Sequence, residues 1–339
     1  MRLPPATHSD LHCEVDLRVP TPDGTVLLAN RTAPRGENHL PIVLIRTPYT
    51  PRGTKPDLTS ILLAERRYQV IVQNCRGAFG SDGEFRPFHD DRDDGLATLA
   101  WIAEQPWFSG AVAMNGLSYL GYVQLAAGPD APGFLKALVP QSAASRIYGV
   151  QRGDPLQLAA ALTWLYLTYA WHFQQSTLAK TRAALQRARI LRKAFAHLPV
   201  GDADRLTVGH TIPYFQDVLR YDRPQDEFWA AMDHSQRVPE ITAPVHLVGG
   251  WYDFFLPDQL ADHRALRDAG RNPYLTIGPW THATLSAVAE GLRQSLAWYD
   301  AHLRNNRFTL RATPVRVYVT GARQWADLDA WPPPSTPTP

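Results

Sequence analysis

Up to Gln141 the chain alternates two hydrophobic patterns. Short apolar runs bounded by turn residues, Pro41–Thr47 (PIVLIRT), Gln69–Asn74 (QVIVQN), Ala111–Gly116 (AVAMNG) and Leu135–Gln141 (LKALVPQ), suit strands buried on both faces, as in a parallel sheet. Between them Leu58–Arg67 and Asp93–Gln105 carry apolar residues at helical spacing, and a helix is predicted from Ser118 onward. Ahead of these, His12–Val19 and Thr25–Ala33 flank the turn residues Pro22–Gly24, a hairpin signal. From Pro155 to about His197 the pattern is helical with no strand signal. The rhythm resumes with a strand at Pro244–Gly250, a helix at Pro257–Gly270, a strand at Pro273–Pro279, a long helix at Ser286–Asn306 and a strand at Pro314–Gly321. This order predicts an α/β fold, a mostly parallel sheet covered by helices. Residues 145–240 read as a helical cap inserted into a core built from 1–144 and 241–306.

Composition narrows the class. The chain has 339 residues, 45% hydrophobic and 10% aromatic, enough for a full-sized core plus an insertion. Lys+Arg 34 against Asp+Glu 32 leaves +2, so no global charge recruits nucleic acid or a membrane, and neither is expected as a partner. One stretch departs locally. From Pro155 to Gly201 there is no acid, while Lys180, Arg182, Arg187, Arg189, Arg192 and Lys193 cluster; a solvated face of the cap is the expectation. Leu158–Trp171 is apolar but falls short of the roughly 20 residues of a membrane span. Cys13 and Cys75 form no C-x-x-C pair, no Cys/His cluster has zinc spacing, and the first residues lack the apolar core of a signal peptide. Reduced thiols and a cytoplasmic location are expected, with no metal or other cofactor.

Candidate chemistry centres on Ala113–Ala127 (AMNGLSYLGYVQLAA). Ser118 follows a strand and precedes a helix, between Gly116 and Gly121. This is nearly the G-x-S-x-G nucleophile elbow of α/β-hydrolases, with the second glycine one place late. The plain alternative is a serine capping an ordinary helix. A nucleophilic serine needs a base and an orienting acid, in chain order Ser, Asp, His. Asp253 (GGWYDFF) and His282 (IGPWTHA) follow predicted strands, where open α/β sheets place their sites, whereas His263 and His302 fall in helices and His246 inside a strand. Taken singly, Asp253 reads as well as a helix cap and His282 as a loop histidine.

Together GLSYLG, GGWYDFF and IGPWTH resemble the triad blocks of the CocE/NonD family of serine hydrolases (cocaine esterase, X-Pro dipeptidyl-peptidase). In that family the elbow reads G-x-S-Y-x-G, so Leu120 is no departure. Ile45–Thr50 (IRTPYT) is similar to the segment whose tyrosine donates to the oxyanion. The resemblance thus implies Tyr49 and the Tyr119 N–H as the oxyanion donors. Asn74–Phe88 (NCRGAFGSDGEFRPF) resembles a structural loop in which Arg76 anchors acids. Phe254, Phe255, Trp164 and Tyr169 are candidates for the substrate pocket. A β-sandwich follows the core in that family, so 307–339 reads as the start of a truncated C-terminal β-domain, its last strand covered by an oligomer or partner. The resemblance implies hydrolysis of carboxylic esters. Alternatives are an X-Pro dipeptidyl-peptidase or amide and α-amino acid ester hydrolase, acting on a small ester or short peptide, or a non-catalytic member. The run Asp90–Asp94 (DDRDD) is read as charging a helix N-terminus.

Overall fold

The structure is a computed structural model that describes residues 3–49, 55–153, 155–173 and 176–334. Ten strands form one sheet in the order β1-β2-β4-β3-β5-β6-β7-β8-β9-β10. They are β1 (Leu11–Pro20), β2 (Val26–Pro34), β3 (Ile42–Thr47), β4 (Gln69–Asn74), β5 (Val112–Leu117), β6 (Leu135–Gln141), β7 (His246–Tyr252), β8 (Tyr274–Thr281), β9 (Val315–Val319) and β10 (Gln324–Leu328). The run from β4 to β9 is parallel; β1 and β2 join antiparallel at one edge and β10 at the other. Every residue of β3 and β4 is buried, as their unbroken apolar runs require of strands covered on both faces.

Helices cover the two faces. α1 (Leu58–Ala64) and α11 (Leu285–Leu303) place Leu63, Leu292, Leu296 and Tyr299 in one core. α2 (Asp91–Ala103), α3 (Tyr119–Ala127) and α10 (Leu256–Asp268) place Leu99, Ile102, Tyr122, Val123 and Leu266 in the other. Between β6 and β7 the described elements are helices joined by loops: α4 (Tyr148–Gln151), α5 (Leu158–Leu165), a π-helix (Tyr166–His172), α6 (Thr177–Phe195), α7 (Ala203–Val208), α8 (Pro213–Arg220) and α9 (Glu227–Ala230), with short 3-10 helices at Val200–Asp202 and Ser235–Glu240. The π-helical turn continues α5 without a break, where the sequence read one helix to Trp171.

The segment expected to open a separate β-domain lies in the main sheet instead. β9 runs parallel to β8, with Leu275 opposite Val315 and Ile277 opposite Val317, and β10 turns back along it. Val315 and Val317 alternate with more exposed residues and fill the same core as α10, which fixes the strand there. Cys13 and Cys75 are both unpaired thiols.

Candidate active site

β5 ends at Leu117 and α3 begins at Tyr119, so the change of direction falls on Ser118 alone. Its backbone takes φ 63° and ψ −123°, a conformation that L-residues avoid and that persists only when neighbours over-determine it. Here they do. The Ser118 N–H donates to the Gln141 carbonyl at 2.8 Å, and its carbonyl accepts from Gly121 and Tyr122 at 2.8 and 3.0 Å. A Cβ at Gly116 would run into Leu120, and one at Gly121 into the Ala143 methyl. Residue 121, not 120, faces the end of β6, which is why the second glycine stands one place late. Leu120 instead packs between the two cores. The N–H of Tyr119, at the first position of α3, has no carbonyl of its own helix within reach.

Asp253 and His282 come together at the ends of β7 and β8. Tyr252 pairs with Thr281, so the residues one step beyond each strand meet. His282 Nδ1 lies 3.0 Å from Asp253 Oδ2, and the aspartate side chain is 1% exposed. Its other oxygen accepts the Phe255 N–H at 2.9 Å. Burial would push this carboxyl up, but the contact and charge of His282, with the Phe255 N–H and the Ser142 hydroxyl, hold it below the ordinary aspartate range. An ionised Asp253 assigns the proton to Nδ1 and leaves Nε2 as an acceptor. Ser118 makes no hydrogen bond to His282; the two share one sheet edge, linked through Gln141 and Ser142, whose N–H donates to β7 at Val248. Phe254 lies against the His282 ring at 4.5 Å and is 47% exposed, while Phe255 is buried at 5.7 Å from it.

Tyr49 follows β3 and meets the Tyr119 ring edge-on at 6.2 Å. Its phenol oxygen accepts the Trp164 indole N–H at 2.8 Å. The phenol end is enclosed, although the residue as a whole is only half-buried, and this desolvation pushes its pKa well up. The phenol therefore keeps its proton and stays a donor. Trp164 thus holds Tyr49 from the end of α5. Tyr169, on the π-helix, packs on Phe85 and Phe173. Phe85 in turn approaches Tyr119, at 6.3 Å, so these residues form an aromatic wall beside α3.

One contributor escaped the sequence reading. The Tyr119 hydroxyl donates to Asp91 Oδ2 at 2.5 Å and accepts the Phe88 N–H at 3.0 Å. Asp91 is buried; the Arg46 guanidinium bonds its carbonyl and lies 3.5 Å from Oδ1, where the Cys75 thiol also approaches at 3.6 Å. Burial pushes the Asp91 carboxyl up, opposed by Arg46 and Tyr119, and pushes the Cys75 thiol up as well, so the thiol is not a nucleophile. Arg46 was the available signal: a cation inside an otherwise apolar strand run demands a buried partner. The acidic run is therefore divided. Asp91 anchors the residue after Ser118, while Asp94 and Asp23 bind Arg76 at 2.6 and 2.8 Å beside a crevice of about 460 Å³. Among the described residues no group of three His, Cys, Asp or Glu side chains could hold a metal ion.

The family model for X-Pro dipeptidyl-peptidase (S15 family) matches residues 23–284, most of the chain and all of this site. The chain belongs to the S15 family. This S15 chain is 30% identical to the cocaine esterase of Rhodococcus sp. (strain MB1 Bresler), over 95% of its own length and 60% of the esterase's. It is similar in fold to an aminopeptidase from a marine sediment Thaumarchaeota archaeon, with TM-score 0.74 and 22% identity over 99% of this chain and 61% of that one. A CocE/NonD family hydrolase from Staphylococcus aureus aligns with TM-score 0.71 and 17% identity, over 95% of this chain and 56% of that one. The S15 chain thus spans about three fifths of these relatives, carries the CocE/NonD-type α/β-hydrolase fold and belongs to a family of hydrolases. None of its described helices is long and apolar enough to cross a membrane.

Proposed function

We propose that this chain is a serine hydrolase that cleaves carboxylic esters through an acyl-enzyme. The observation that carries the reading is the Asp253–His282 contact, made at the sheet edge where Ser118 is held in a strained turn. Ser118 Oγ attacks the ester carbonyl while His282 Nε2 takes its proton. Ionised Asp253 stabilises the imidazolium so formed. The Tyr119 N–H and the Tyr49 phenol receive the developing oxyanion. His282 then returns the proton to the departing alcohol. Water, deprotonated by the same nitrogen, attacks the acyl-enzyme; the acid leaves and Ser118 recovers its proton.

An X-Pro dipeptidyl-peptidase reading is prompted by the family and by the aminopeptidase neighbour. Such a substrate presents an ammonium that calls for a carboxylate. Asp91, the carboxylate beside Tyr119, is already engaged by Tyr119, Arg46 and Cys75, which supports the ester reading, as does similarity to a protein named a cocaine esterase. The test compares p-nitrophenyl esters with X-Pro anilides on wild type and Ser118→Ala. Ester turnover is expected to exceed anilide turnover and to fall by roughly 10⁴ or more in the variant. A folded wild type that neither turns over esters nor reacts with a fluorophosphonate at Ser118 overturns the proposal, and faster anilide cleavage replaces it with the peptidase reading.

A further inference from the structure

Many arginines elsewhere among the described residues are engaged by acids. Arg31, Arg46, Arg76, Arg237, Arg304 and Arg316 each meet a carboxylate. Helix α6 departs from that pattern. Its Lys180, Arg182, Arg187, Arg189, Arg192 and Lys193 form no ion pair among the described residues. No acid occurs between Pro155 and Gly201 to neutralise them, so a chain of net +2 concentrates six cations on one element.

The helix turns four of these groups, Arg182, Arg189, Arg192 and Lys193, outward together, while Lys180 and Arg187 lie toward the side that packs on the core. Ala183, Ile190, Leu191 and Ala194 pack against the core. At about 100° per residue, the opposite face carries Leu178, Arg182, Leu185, Arg189, Arg192 and Lys193. Leu178 and Leu185 are 80% and 81% exposed. A face kept only for solubility gains nothing from two open leucines among its cations. A nucleic-acid surface sets aromatic stacking platforms between its cations; this face has leucines instead. Cations interleaved with aliphatic side chains match the boundary between anionic headgroups and acyl chains. We propose that the outer face of α6 docks on an anionic lipid bilayer, the cations among the headgroups and Leu178 and Leu185 just below them. The attachment is peripheral, since no described helix can span. α6 rests on the π-helix that carries Tyr169, so the docking face is the outer side of the layer walling the candidate site.

The test is co-sedimentation of the full chain with phosphatidylcholine vesicles, neutral or containing about one third phosphatidylglycerol. Binding is expected to the anionic vesicles alone, and to be lost near 0.5 M salt, where screening shortens to about 4 Å. R182E/R189E is expected to weaken it at least about tenfold. L178S/L185S, at unchanged charge, is expected to weaken it less. Circular dichroism and thermal melting of the variants check folding away from the helix. Absence of binding, equal binding to neutral vesicles, or undiminished binding of R182E/R189E overturns the proposal. A short DNA duplex run in parallel supplies the last outcome: α6-dependent binding tighter to duplex than to vesicles overturns the lipid assignment. None of these readouts depends on the hydrolase reading.

Discussion

At the scale of single residues, the candidate site combines His282, held by a buried carboxylate, with two differently supported donors proposed for the oxyanion. Asp253 is buried and ionised against His282, with Phe255 and Ser142 completing its shell. Asp253→Asn keeps the shape but removes the charge that fixes the His282 proton on Nδ1. The expected result is a drop in kcat of roughly 10⁴ with the fold intact, measured by ester turnover and circular dichroism. Tyr49 is a donor held by Trp164. Tyr49→Phe is expected to lower kcat by roughly 10²–10³ with little change in KM, because an oxyanion donor acts only once charge develops. An equal rise in KM at unchanged kcat would mean that the phenol binds substrate in its ground state. The Asp253–His282 contact and the Ser118 turn were legible because strand ends and chain order point to these residues. Asp91 was not, since an aspartate in an acidic run looks the same whether it faces water or a buried tyrosine.

At the scale of elements, α3 is clamped onto the ends of β5 and β6. Gly121 lies against Ala143, and Gly116 under Leu120. Gly121→Ala must push the first turn of α3 away from β6 by the width of a methyl group. A loss of about 1–3 kcal/mol is expected from such overpacking, read as a lowered Tm. Esterase activity should fall beyond what the stability change accounts for, because Ser118 and the Tyr119 N–H move with that turn. Unchanged activity in a folded variant would separate the elbow from the proposed chemistry. Strands β1 to β9 were readable from their patterns to within about two residues, whereas β10 (Gln324–Leu328) was not read. The π-helix was not, because α and π turns bury almost the same apolar residues and differ in which carbonyl each N–H reaches.

For the whole molecule, acid stability follows from histidines buried in the neutral form. Desolvation holds His234, His263 and His302 each down to about 4, and holds His246 well below its ordinary value. Their ordinary value is near 6.5, so between about pH 6.5 and 4 the unfolded chain binds these protons and the folded one does not; stability falls as pH is lowered through that window. Asp262, raised to about 7 by burial, and Asp91, also raised, act in the opposite sense but are fewer. A calorimetric Tm that drops between pH 6.5 and 4.5 is expected; a flat or rising Tm would show that the carboxyls dominate. Sequence by itself determined the alternation of strands and helices, hence the parallel sheet, and it marked Ser118, Asp253 and His282, because hydrophobic period and strand-end position are local properties. Tertiary structure alone decided that Val315–Val319 joins the main sheet, that Asp91 turns inward to Tyr119, that Trp164 supports Tyr49, and that α6 turns Arg182, Arg189, Arg192 and Lys193 outward. Each of those depends on which distant surface completes a hydrogen bond or covers an apolar stripe, and a linear pattern states the need for a partner without naming it.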